Sequence, residues 1–335
     1  MKTKAAILFK TGEPLRIEEI EIPKLRPGQV LVRMLVSGIC RAQLNEVRGW
    51  KGEDKYLPHL LGHEGAGVVE ETGTGVSKVK QGDYVVTSWI KGKGLDGGGA
   101  QYKLGKITVN SGSITTFGSR SVISENRLVK VPSQVPPHIA ALLGCAVPTG
   151  AGIIFHTLNV KKGSSIAIFG IGGVGASAIL AAKMRGCKVI LAVDISEEKL
   201  QFARLLGATD VSLFDNLKPL SVDYSIEASG NKKAMEKAIE AVCDHGQVVI
   251  AGNLKRGEKI SLDPFELIKG KKIMGTWGGE TDIDRDIPFY AEAYLEGKMK
   301  IDGLFSKRIK LQKVNEELDI MEKNQLLGRV VIDFK

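Results

Sequence analysis

Cys40, His63 and Cys145 are side chains of the kinds that hold zinc, and they precede a glycine run, Gly170-Ile171-Gly172-Gly173-Val174-Gly175. Two thiolates and one imidazole cancel the charge of a Zn²⁺ ion and leave a fourth position for a substrate oxygen. A glycine run that joins a strand to a helix can hold a nicotinamide carrier. Together the two features imply metal-assisted hydride transfer. Each candidate ligand alone is more often a core or loop residue, so the case rests on the combination.

The pattern G-x-G-x-x-G occurs twice. At Gly92-Lys93-Gly94-Leu95-Asp96-Gly97 it follows no strong strand and opens no helix, which reads as a flexible loop. At Gly170 it follows the apolar strand Ser165 to Phe169 and leads into a helical run from Val174 to Met184. There Gly170 suits the tight turn, Gly172 the approach of a pyrophosphate and Gly175 the packing of helix on strand, with free helix amides facing the phosphates. Asp194 closes the next strand 19 residues beyond Gly175. Its carboxylate suits both ribose hydroxyls and would repel a 2′-phosphate, which favours NAD over NADP; the plainer alternative is a turn or N-cap residue.

These residues need elements to position them. Gln29–Val36, Gly65–Glu70, Asp83–Ser88 and Ser119–Val131 read as strands between turn signals, which makes a β-rich first part. From about Ser164 strands and helices alternate: Ser165–Phe169, a helix from Val174, Lys188–Val193, a helix from Glu197, Val222–Ala228, a helix from Lys232, and Gln247–Ala251. Alternation of this kind predicts a parallel sheet with helices on both faces. Beyond Thr276 come the helices Pro288–Gly297 and Val314–Lys323 and a closing strand, Arg329–Phe334. The expected fold class is therefore α/β, with a catalytic domain over 1–146 completed by 278–335, and a nucleotide-binding domain over 147–277 inserted between them.

At 335 residues, 43% hydrophobic and 25% charged, the chain has the composition of a globular protein. Its charge of +9 is scattered without an aromatic-interleaved basic cluster, so nucleic-acid binding is not expected. The uncharged segment from Gly163 to Ala182 is about one membrane span long, but its five glycines argue against that role. The apolar run Ala5–Phe9 is too short for a secretory signal, and a cytoplasmic location is expected. The four cysteines include no Cys-x-x-Cys pair; Cys187 and Cys243 are expected to pack as small apolar residues.

Gly62-His63-Glu64-Gly65-Ala66-Gly67-Val68-Val69, Leu143-Gly144-Cys145, Gly82-Asp83-Tyr84-Val85-Val86, the glycine run and Gly328-Arg329-Val330-Val331-Ile332 give the chain a more specific likeness. It resembles the zinc-dependent medium-chain alcohol dehydrogenases over nearly its whole length. That resemblance implies a GroES-like β-rich catalytic domain and a doubly wound Rossmann domain. It also implies one zinc held by Cys40, His63 and Cys145, with the Glu64 carboxylate close to the metal. Thr149 would lie against the nicotinamide, Arg41 and Arg329 would meet the pyrophosphate, and Asp194 with Lys199 the adenosine ribose. The Gly170, Gly172, Gly173, Val174 and Gly175 loop would hold the dinucleotide. A homodimer or homotetramer is implied as well. His59, between Pro58 and Gly62, is expected near the metal's surroundings or at the surface and not as a ligand.

The chain departs from the family pattern in two places. Residues 86–118 contain no cysteine, so a second, structural zinc is not expected. The position two after the first ligand, usually Ser or Thr, is Ala42, which cannot relay a proton, and the next is Gln43 in place of an acid. A substrate that brings its own hydroxyl path, such as a polyol or sugar, would restore the exit. The expected reaction is hydride transfer between an alcohol and NAD. The rival readings are a zinc-free NADPH-dependent reductase of the same superfamily and a catalytically idle nucleotide-binding protein.

Overall fold

The computed structural model describes residues 1–335, which fall into two compact units: 1–145 with 282–295 and 305–335, and 146–281 with 296–304. Each unit is organised by its most apolar strand. In the first that strand is Gln29–Gly38, eight of whose ten residues are buried. It pairs antiparallel with Glu64–Thr72, Arg120–Ser124 and Arg329–Asp333. Tyr84–Ser88 and Leu128–Lys130 extend the sheet on one side and Phe305–Ile309 on the other. Lys2–Leu8, Arg16–Glu21, Gln101–Leu104, Ile107–Asn110 and the short His59–Leu60 close a small barrel around Ile7, Ile20, Tyr102 and Val109.

The second unit is a parallel sheet in the order Asp210–Leu213, Val189–Asp194, Ser165–Phe169, Val222–Glu227, Val242–Ile250, Lys272–Gly275. The helices Gly173–Arg185, Glu197–Leu206 and Lys232–Ala241 intervene along the chain, as the alternating pattern requires. Ser196 and Asn231 cap two of these helices through their side chains, and Gly186 and Gly207 end two in the left-handed region. The architecture is the GroES-like and Rossmann pair.

Some elements differ from the sequence reading. The stretch 119–131 is two strands interrupted by the short 3₁₀ turn Glu125–Arg127, because Glu125 turns inward to bind backbone amides. The return to the first unit is not continuous over 278–335. It starts at Asp282, and residues 296–304 go with the second unit. There Met299, Ile301 and Leu304 are buried, and the turn Ile301–Leu304 packs on Gly173–Arg185 and Glu197–Leu206. No helix is long and apolar enough to cross a membrane.

Candidate active site

In the first unit, strand Gln29–Gly38 delivers Cys40 to the N-cap of the helix Arg41–Val47. His63 comes immediately before strand Glu64–Thr72, and Cys145 ends the turn that follows the helix Pro137–Leu142. Gly62, at φ +91°, takes the left-handed bend that swings His63 toward the cysteines, and a side chain there would strike Thr116 and Phe117. Gly38 leaves the room that Glu64 fills, since a Cβ would sit 2.6 Å from the Glu64 carboxyl carbon. The ligand atoms of Cys40, His63, Glu64 and Cys145 all lie within 4.8 Å of one another. Tetrahedral zinc with bonds of about 2.0–2.3 Å holds its ligands roughly 3.5 Å apart, so the donor set fits that ion. His63 Nε2 is 3.2 Å from Cys145 Sγ.

The two sulfurs are pushed in opposite directions. The hydrogen bond from Cys145 holds Cys40 well below the usual thiol range, against burial, and His63 adds to it. That same bond, together with burial, drives Cys145 well above it. A divalent cation held between the sulfurs would displace any proton they carry. Glu64 is fully buried and ion-paired with the buried Arg329 guanidinium. Burial alone would lower the Arg329 pKa, but Glu64 and the two sulfurs raise it instead.

A cavity of about 370 Å³ opens beside His63, lined by Gln43, Glu46, Asp54, His59 and Thr115 among others. Residues 110–112 also line it, so the Gly- and Ser-rich stretch after Gly97 forms part of a wall. His59 is buried; its Nε2 is 2.7 Å from Asp54 Oδ2 and its Nδ1 is 2.9 Å from the Leu60 carbonyl. The Thr115 hydroxyl is buried without a hydrogen-bond partner. Arg41 is exposed and donates to the Met321 carbonyl and to Asn324 Oδ1.

In the second unit, Gly170 (φ +90°) makes the turn after Phe169, and a Cβ on Gly175 would lie 2.0 Å from the Gly170 carbonyl oxygen. Nothing lies within 4 Å of a Cβ built on Gly172, the N-cap of Gly173–Arg185. The open side of that turn, facing free helix amides, is a cradle for an anion. Asp194 Oδ2 accepts the Ile171 N–H at 2.7 Å, and Oδ1 accepts those of Ile195 and Ser196. The carboxylate read from the sequence as a ribose partner thus also ties the glycine loop to the second strand. Lys199 sits half-buried in the first turn of Glu197–Leu206. The Thr149 hydroxyl, in the helix Ala146–Gly152, is buried without a hydrogen-bond partner.

Three features escaped the sequence reading. Gln43, expected as a polar group near the pocket in place of an acid, contacts His63 Nδ1 at 2.6 Å. Its place three residues after Cys40, where an N3 side chain reaches back to an N-cap, was the available signal. The Glu64–Arg329 pair spans 265 residues and left no local trace. His59 pairs with Asp54 as one wall of the cavity.

The chain matches the family models for an alcohol dehydrogenase GroES-like domain over residues 26–133 and for a zinc-binding dehydrogenase over 173–292. It is 32% identical to alcohol dehydrogenase class-3 of Myxine glutinosa, covering 98% of this chain and 97% of that one. The chain belongs to the zinc-dependent medium-chain alcohol dehydrogenases. It is an oxidoreductase of that type. An S-(hydroxymethyl)glutathione dehydrogenase of Synechocystis is 31% identical over 99% of the chain and all of the relative. Among solved structures, an alcohol dehydrogenase zinc-binding domain protein from Burkholderia ambifaria superposes with a TM-score of 0.92 at 28% identity, covering 100% of this chain and 99% of that one.

Proposed function

We propose that the chain transfers hydride between an alcohol and NAD with one zinc ion at Cys40, His63 and Cys145, and that its substrate is a secondary alcohol, polyol or sugar-like molecule. The observation that carries this reading is the convergence of those three donors and Glu64 within 4.8 Å. Bound by these residues, zinc would supply Lewis acidity, which would acidify a substrate hydroxyl in one direction and polarise a carbonyl in the other.

The chain's own residues do the rest. Cys40, His63 and Cys145 offer two sulfurs and a ring nitrogen, and Glu64 adds a buried carboxylate whose charge Arg329 balances. The Thr149 hydroxyl, buried with no other partner, is the proposed contact for the nicotinamide. Gly170, Gly172, Gly173, Val174 and Gly175 leave the cradle for a pyrophosphate, with Arg41 and Arg329 as its cations. Asp194 and Lys199 take the adenosine ribose, and the carboxylate favours NAD over NADP. Ala42 has no hydroxyl to move a proton. The cavity beside His63 offers polar groups instead, and the unpartnered Thr115 hydroxyl within its wall suits a substrate with a second hydroxyl. We also propose a cytoplasmic homodimer or homotetramer. Phe265, Ile268 and Trp277 are exposed near the edge strand Lys272–Gly275, where a second copy would cover them.

The test is metal analysis of purified protein together with a panel of secondary alcohols, polyols and sugars, with NAD and NADP, before and after chelation. One zinc per chain and chelator-sensitive turnover are expected. Cys145→Ser should lower kcat/KM about 10³-fold, since Lewis-acid stabilisation is worth several kcal/mol. Undiminished turnover by metal-free protein would favour the zinc-free reductase. Cofactor binding without turnover on any substrate would favour an idle protein, and equal rates on ethanol and polyols would remove the substrate class.

A further inference from the structure

One buried amide serves two neighbours whose demands conflict once a metal is bound. Gln43 is 1% exposed. Its Oε1 accepts the Cys40 backbone N–H at 3.0 Å, and because that partner is a donor only, the orientation of the amide is fixed. The atom 2.6 Å from His63 Nδ1 is therefore the amide nitrogen Nε2. An amide nitrogen donates, so Nδ1 accepts and the ring hydrogen sits on Nε2, beside Cys145 Sγ at 3.2 Å. Yet Nε2 is the nitrogen turned toward the donor cluster. A histidine that gives its Nε2 lone pair to a metal carries its hydrogen on Nδ1 and needs an acceptor there. Against Gln43 as it stands, that hydrogen would meet another donor.

We infer that Gln43 is a two-position amide, which turns over when Cys40, His63 and Cys145 take up zinc. Its Oε1 moves from the Cys40 N–H to the His63 Nδ1–H, and the Cys40 N–H loses its acceptor. In this geometry the two neighbours meet different atoms of the amide, so turning Oε1 to His63 sets the Nε2 donor against the Cys40 N–H. A carboxylate at this position has acceptor oxygens at both places and would satisfy both neighbours at once. Gln43 is thus a positioning residue that couples metal occupancy to the N-terminus of the helix Arg41–Val47. This rests on the zinc reading above and goes beyond it.

The decisive measurement is hydrogen exchange of the Cys40 backbone amide in the full chain, stripped of metal and then loaded with zinc alone. The expected result is that the Cys40 amide exchanges about tenfold faster on loading, the loss of one ordinary hydrogen bond. In Gln43→Glu it should keep its protection. A chromophoric chelator in competition should show Gln43→Glu holding zinc at least about tenfold more tightly, the scale on which groups behind a metal ligand act. Zinc uptake by the natural chain with the Cys40 amide still protected would overturn the inference and leave the zinc reading standing. No zinc uptake would overturn both. The comparison within the natural chain decides even if Gln43→Glu fails to fold.

Discussion

Glu64 and Glu125 are both fully buried carboxylates of the first unit, and they are stabilised in opposite ways. Glu64 lies against one guanidinium, that of Arg329, beside two cysteine sulfurs and an imidazole. Glu125 lies in a ring of backbone amides: Ser77 and Lys78 donate to Oε1 and Leu95 to Oε2, each at 2.6 Å. Amides are fixed partial charges that no mutation of a side chain can take away, while a guanidinium is one whole charge on one residue. The Glu125 ring ties down the Gly92–Gly99 stretch, the loop that the sequence presents as loose, and a side chain on Gly94 (φ +97°) would collide with the glutamate. The Glu64 arrangement concentrates charge where a cation can enter. Burial for structure is served by dispersed dipoles, and burial for chemistry by a removable ion.

The sharpest way to break this contrast is Arg329→Met. With the Arg329 guanidinium gone, the buried Glu64 charge should cost about 4 kcal/mol in urea unfolding of metal-free protein, and Glu64→Gln in the same chain should recover most of it. A loss under about 1 kcal/mol would mean that Glu64 is not held by this pair. Glu125→Ala should cost about 3 kcal/mol, because three buried amides lose their acceptor, while zinc content stays unchanged.

The pH dependence follows from the same ring. Burial pushes the Glu125 carboxyl up, but the amides of Leu95, Lys78 and Ser77 outweigh it and hold the group below its ordinary range. Its contribution is therefore complete above about pH 4.3, the unfolded value, and is lost as pH falls through the lower folded value. The stability gap between the natural chain and Glu125→Gln should accordingly narrow below about pH 4, and a gap that widens with acid would contradict the assignment. The smallest effect is expected in the second unit. Gly172→Val has open space for its side chain, so its unfolding free energy should stay within about 0.5 kcal/mol. Its Kd for NAD should rise about tenfold or more in calorimetry as the cradle fills.

The second unit was largely legible in the sequence. Its central strands Ser165–Phe169 and Val189–Asp194 are buried along nearly their whole length and read as apolar runs, and its helices start at side-chain caps such as Ser196 and Asn231; the edge strands Asp210–Leu213 and Lys272–Gly275, which bury no residue, left no such run. The barrel strands of the first unit were not. Arg16–Glu21 buries only Ile20, so four of its six side chains are charged and nothing in the pattern announces a strand. The candidate ligands were found because cysteine and histidine beside glycine are chemically distinctive. Their surroundings were hidden, since Gln43, Arg329 and Asp54 gain meaning only from partners that folding brings near. Asp194 shows the intermediate case: the end of its strand was legible, but its bond to Ile171 depends on how the glycine loop turns.

Strand Arg329–Asp333 pairs beside Gln29–Gly38 in the middle of the first sheet, although nearly the whole chain separates them. At about 5–20 residues per second, a ribosome has finished Glu64 and all three candidate ligands many seconds before it makes Arg329. Throughout that interval the nascent sheet has an open seam and an acid awaiting its base. Maturation of the reactive centre thereby waits for the synthesis of Arg329.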